Sequence, residues 1–197
     1  MSARQRTGFG SMVVAGLLLC LIGSTVVASQ RDKEEVSLGE TTIEWRKNDQ
    51  GISGLRVTFL VESTRQILWA VLTDYARFPE LFRNVRRATV LKESAVGCEV
   101  EFVVDAKIRT FQYVLDRRYV EREKRIAWTK ISGDLGAIYG GWTIADGPQP
   151  ELLQVTYESY VELEWYVPVF AAKMSAGKEA KEMVRALRAR LAESRSE

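Results

Sequence analysis

A chain of 197 residues has room for one domain of ordinary size and a leading segment. Hydrophobic residues make up 46% of it, enough for a packed core, which excludes a disordered chain. Its 28 basic side chains stand against 26 acidic ones, so no strong field draws in nucleic acid, and its lack of histidine excludes Ser-His-Asp and Cys-His nucleophilic pairs.

Arg4 and Arg6 precede an apolar run over residues 12–22, and small residues follow up to Val26-Val27-Ala28. A basic start, a short apolar stretch and a small-residue site read as a signal peptide over residues 1–28. An uncleaved membrane anchor is the alternative, since residues 9–28 give about 20 positions, just enough to span a bilayer. Loss of Arg4 and Arg6 would leave 26 basic side chains against 26 acidic ones. An exported, periplasmic or membrane-anchored protein is the expectation. Residues 29–40 are charged and apolar-poor and read as a linker to a domain over residues 41–194. After cleavage Cys98 stands alone, so it forms no internal disulfide and reads as a packed thiol.

Residues 41–45 read as a short strand, turned back at Asn48-Asp49-Gln50-Gly51 into a main strand over residues 53–62. Ser63 or Thr64 caps a helix with Ile67, Leu68, Val71 and Leu72 as its buried stripe. Asp74 and Pro79 end it, and a second short helix is expected over residues 79–84 with Pro79 at its first position. Strands are then expected over residues 88–93, 98–108, 110–121, 125–131, 137–145 and 152–165. The links between them are too short to cross over a sheet, so hairpins are expected. Strict alternation, clearest from Leu153 through Val155, Tyr157 and Val161, marks an antiparallel sheet with one wet face. Pro168 opens a long final helix with an apolar stripe of Phe170, Met174, Gly177, Val184, Leu187 and Leu191. Gly177 weakens such a helix, so a close approach to the sheet or to a bound molecule is expected there.

The architecture expected is therefore α+β: a curved antiparallel sheet wrapped around a long C-terminal helix, with a hydrophobic cavity between them. Polar groups on the predicted inner faces are few. Tyr113, Arg117 and Tyr119 share one face, Tyr157 and Ser159 another, and Lys130 aligns with Ile126 and Trp128. A greasy pocket with a few orienting hydrogen bonds is the usual make-up of a ligand site. The candidate ligand-binding residues are Tyr113, Arg117, Trp128, Trp142, Tyr157, Ser159, Met174 and Gly177. No catalytic residue, metal ligand or cofactor site is assigned, and the oligomeric state stays open. Glu158, Glu162 and Glu164 fall on the wet face. The arginine clusters alternate with acids and read as solvated surface. The corner at Trp165-Tyr166-Val167-Pro168-Val169-Phe170 is a candidate for transient membrane contact, with a buried hinge as the alternative.

The segment Asp74-Tyr75-Ala76-Arg77-Phe78-Pro79-Glu80-Leu81-Phe82 resembles the Asp-Tyr-x-x-aromatic-Pro-x-aliphatic turn of the START-like helix-grip superfamily. The likeness is to its polyketide cyclase/dehydrase and coenzyme Q-binding branch, and it runs from about Ser53 to Ala192. It implies the helix-grip fold and a sterol, quinone, polyketide or other lipid held between the long helix and the sheet. Binding or transport of such a molecule in the bacterial envelope is the expectation; a cyclase/dehydrase-type enzyme is the alternative.

Overall fold

Alternating side chains build eight strands that form one antiparallel sheet in a computed structural model. The structure describes residues 38–106, 109–162 and 169–194, the side chains of 169–174 excepted. Strands β1 (Thr42–Lys47) and β2 (Ser53–Glu62) are followed by helix α1 (Arg65–Thr73), a 3-10 turn (Tyr75–Arg77) and the short helix α2 (Phe78–Leu81). Then come β3 (Val85–Ser94), β4 (Gly97–Asp105), β5 (Thr110–Glu121), β6 (Arg125–Gly133), β7 (Ile138–Asp146) and β8 (Leu152–Val161). Helix α3 (Val169–Ser194) closes the chain. The sheet order is β1-β2-β8-β7-β6-β5-β4-β3, so β3 through β8 are a run of hairpins and the first two strands add beside the last.

The period-two reading holds in detail. Val57, Phe59 and Val61 of β2 are fully or almost fully buried, as are Val155 on β8 and Ile126 on β6. Strand β5 has the expected bounds, with Phe111, Leu115 and Arg117 buried on its inner face. The first helix starts where its cap predicts: the Thr64 hydroxyl accepts from the Ile67 amide. Its buried residues are Leu68 and Leu72, while Ile67 and Val71 are only partly covered.

Several boundaries differ from expectation, among them β4, which ends at Asp105 rather than 108, and β6, which runs on to Gly133. The second short helix ends at Leu81, because Phe82 turns extended and the chain must enter β3. That strand begins at Val85, earlier than its apolar content suggests, since an edge strand with a mostly exposed face carries little alternation. Strand β8 ends at Val161, and the expected continuation over residues 163–165 lies outside the described residues, as do Pro168 and the candidate leader over 1–28. Leu38, placed in the linker by composition, is buried, and the Arg188 guanidinium donates to the Leu38 and Gly39 carbonyls and to that of Leu60.

Helix α3 packs on β1, β2, α1 and α2. Its buried residues Ala180, Met183, Val184, Leu187 and Leu191 recur at three and four positions, one stripe of an amphipathic helix. Among the described residues an added Cβ at Gly177 would meet only Trp45, at 3.9 Å, so the helix passes this strand residue at ordinary contact distance.

The tight approaches lie in the sheet instead. A Cβ on Gly140 would stand 2.1 Å from the Glu158 carbonyl and 2.8 Å from the Trp128 ring. The bare backbone lets the Trp128 indole come close to β7. Gly140→Ala is expected to destabilise the fold by about 1–3 kcal/mol through overpacking, and to weaken the near-ultraviolet circular dichroism of the displaced indole. Denaturant titration beside that spectrum checks both.

Candidate functional site

The inner face of the sheet is aromatic where it looks toward α3. Tyr157 packs against Trp142 with ring centroids 4.6 Å apart and against Trp128 at 5.7 Å. Phe102 and Tyr113 stack at 5.9 Å. Trp142 is 1% exposed and Trp128 is also buried, so both candidate tryptophans stand where the alternation put them. Ser159 is two positions along β8 from Tyr157, opposite Leu55 and Gly140 in the register.

Arg117 lies inside this aromatic layer. It is 3% exposed, the one buried charged side chain among the described residues. Its guanidinium carbon lies 4.8 Å from the ring centroid of Tyr75, 4.9 Å from Trp128, 5.5 Å from Phe78 and 6.0 Å from Phe102. Cation–π attraction to these faces offsets part of the desolvation, by roughly 0.5–2 kcal/mol per good contact. It leaves the hydrogen-bonding demand unmet: Nε and Nη2 have no partner among the described residues. At this burial Arg117 stands away from the sheet rim, on the packed inner face.

Tyr75 lies beside Arg117. Its buried hydroxyl makes no well-aligned hydrogen bond among the described residues, but has the Tyr119 hydroxyl and the Cys98 thiol as hydrogen-bonding neighbours. Close by, the Cys98 thiol lies 3.6 Å from the Tyr119 hydroxyl. The aromatic-proline turn explains how Tyr75 arrives. The 3-10 turn and α2 place Tyr75 and Phe78, centroids 5.1 Å apart, over the inner face of β5. The turn thus covers the Arg117 guanidinium. Sequence reading singled out the turn and the arginine separately and missed Tyr75 as a site residue, because no local signal announces that they meet.

Burial pushes the Tyr75, Tyr113 and Tyr157 hydroxyls well above the ordinary tyrosine value of 10.0, while the Arg117 charge pulls each back. For Tyr157, contact with Ser159 also works downward, more than the arginine does. These phenols therefore stay neutral hydrogen-bond donors at physiological pH. The sign for stability follows: the folded chain keeps protons that the unfolded chain gives up above pH 10.0, so stability is full below that value and falls above it. Melting temperatures between about pH 9 and 11, read beside tyrosinate absorption, should show this decline. A flat profile would contradict the burial of these hydroxyls.

From the surface, the way to this layer is a groove between α2 and α3. It has a volume of about 120 Å³, and its walls include Leu55, Leu81, Phe82, Ala180 and Met183, with Tyr157 among its lining residues. Drug-sized ligand pockets run to roughly 300–1,000 Å³, so a lipid-sized guest requires α3 to move away from α2. The Met174 side chain lies outside the described residues, and Gly177 adjoins Trp45 rather than this groove. Lys130 is drawn off by the following turn, where its ammonium donates to the Gly133 and Leu135 carbonyls. The wet face is paired as its charges suggest: Arg56 with Glu158 at 2.7 Å, Arg86 with Asp105 at 2.5 Å and Arg87 with Glu101 at 3.0 Å. No group of three metal-ligating side chains occurs among the described residues, and no described helix is long and apolar enough to cross a membrane.

Solved structures share this architecture. A START superfamily protein from Mycobacterium smegmatis superposes with a TM-score of 0.62 at 15% identity, covering 71% of this chain and 97% of its own. A STAR-related lipid transfer protein from Xanthomonas axonopodis gives 0.60 at 15% identity, over 78% of this chain and 97% of its own. An aromatase/cyclase from Streptomyces gives 0.51 at 19% identity, over 71% and 86%. No curated protein matches the chain. At these identities the likeness establishes the helix-grip fold alone. Residues 61–188 match the model of the family described as polyketide cyclase / dehydrase and lipid transport, and this stretch is most of the chain: the protein belongs to that family.

Proposed function

We propose that the protein binds and carries a hydrophobic, lipid-like small molecule between the sheet and α3. The observation that carries this reading is the buried, aromatic-lined Arg117 with two unmet donors, in a layer whose Tyr157 lines a groove of apolar residues mixed with Arg83, Asn84, Glu179 and Glu182. A side chain so placed serves folding poorly and serves a guest well. The apolar body of the guest would supply most of the affinity, at roughly 0.8 kcal/mol per buried methylene. Tyr113, Trp128, Trp142, Tyr157 and Ser159 would form the wall it meets.

The site of action in this reading is the bacterial cell envelope. Support comes from the basic, apolar and small-residue order of residues 1–28. The near-balance of charge and the paired surface argue against nucleic acid as a partner.

An enzyme of the cyclase/dehydrase kind is the second reading. Arg117 and the neutral tyrosines favour it, since they could polarise a carbonyl. Against it stands the absence of a buried carboxylate among the described residues, which leaves no evident base. Native mass spectrometry of the full chain purified from its own host tests the carrier reading. A co-purifying apolar molecule is expected. Finding none, together with no displacement of a fluorescent lipid probe, would overturn it.

A further inference from the structure

Resting on the carrier reading, we infer that the guest is an acid: an apolar chain or ring system whose anionic oxygen enters the chamber of Arg117 and Tyr75. The argument starts from charge. An arginine side chain is a cation, and at 3% exposure this one is removed from water. Buried cations are ordinarily matched by a carboxylate. No ion pair to Arg117 occurs among the described residues, and two of its nitrogens lack any acceptor. Aromatic faces satisfy part of the charge, yet a ring face accepts none of the in-plane N–H bonds of a guanidinium.

Donor count points the same way. Nε and Nη2 of Arg117 are two unmet groups, and the buried hydroxyl of Tyr75, with the Tyr119 hydroxyl and the Cys98 thiol as neighbours, belongs to a ring that lies on the same guanidinium. All three can donate, and the nitrogens can only donate. A guest bringing a hydroxyl or an amine would add another donor. A carboxylate or an ionised enol brings lone pairs and the missing charge together, and a guanidinium edge holds a carboxylate through two parallel bonds. Side-chain contacts link the groove to the arginine: Tyr157 lines the groove, Trp128 packs on Tyr157, and Arg117 lies on Trp128. An apolar chain that moved these rings aside along that line would have its acidic end at the arginine. In this arrangement Arg117 selects charge, and Tyr75 is the second donor that fixes the oxygen.

A matched pair of probes tests this. Calorimetric titration of the full chain compares decanoate with 1-decanol, which share a chain and differ in the head. Decanoate is expected to bind about ten- to hundredfold more tightly, the worth of a hydrogen bond to a charged group. That ratio should fall toward unity in Arg117→Gln and drop several-fold in Tyr75→Phe. It should stay high in Arg118→Gln, whose side chain is 75% exposed. Equal affinity of the wild-type chain for both probes would overturn the acid while leaving the carrier reading intact. Binding of neither probe would overturn both. A high ratio that survives Arg117→Gln would overturn the role given to Arg117. The wild-type comparison decides the first question even if a variant fails to fold.

Discussion

Trp142→Ala is expected to lower the free energy of unfolding by about 3–5 kcal/mol. Trp142 is among the largest fully buried side chains of the core, at 1% exposure. It stands opposite Ile126 on one neighbouring strand and Tyr157 on the other. Its removal takes away the surface on which the Tyr157 ring packs at 4.6 Å. The space left would be lined by rings and aliphatic groups, and a rigid antiparallel sheet closes such a space poorly. Denaturant titration measures the loss; a change below about 1 kcal/mol would mean that the inner layer is loosely packed. Trp142→Phe, which keeps an aromatic ring beside Tyr157, should recover much of the loss.

Arg117→Met should move stability the other way. A buried unsatisfied donor costs about 1–3 kcal/mol, and Arg117 carries two of them at 3% exposure. Methionine fills similar space, brings no charge and makes favourable sulfur contacts with aromatic rings. The expected result is a gain of about 1–3 kcal/mol in unfolding free energy, with loss of selectivity for an acidic guest. Thermal melts beside probe titration read both. Destabilisation of similar size would show that the four ring contacts hold the layer together through the cation, and that Arg117 is a structural residue. Stability gained where function is lost is the mark of a residue kept for its site.

Much of this was legible in the sequence, for physical reasons that particular residues display. Strand faces read well because a side chain two positions on returns to the same side; Arg117 is buried on the same face of β5 as Phe111 and Leu115, six and two positions before it. The first helix read well because Thr64 caps it and Leu68 and Leu72 repeat at four. Strand β3 read short because most of it is exposed at the sheet edge, where no alternation is required. The meeting of Tyr75 with Arg117 was not legible. It depends on a turn folding over a strand about 40 residues away, and long-range packing leaves no periodic trace. At Gly177 helix propensity counts the loss without showing what lies opposite, which among the described residues is Trp45 at ordinary distance. The unmet donors of Arg117 could be found only after burial and partners were known together.

The central claim is that the space between sheet and α3 takes an apolar guest. Photo-crosslinking with a medium-chain fatty acid carrying a diazirine at its tail, followed by peptide mapping, tests it directly. The account predicts labelling of groove residues such as Leu55, Tyr157 and Met183, competed away by unlabelled decanoate. Labelling confined to exposed apolar positions such as Val96 and Val120, 71% and 58% exposed, or no labelling at all, would contradict it.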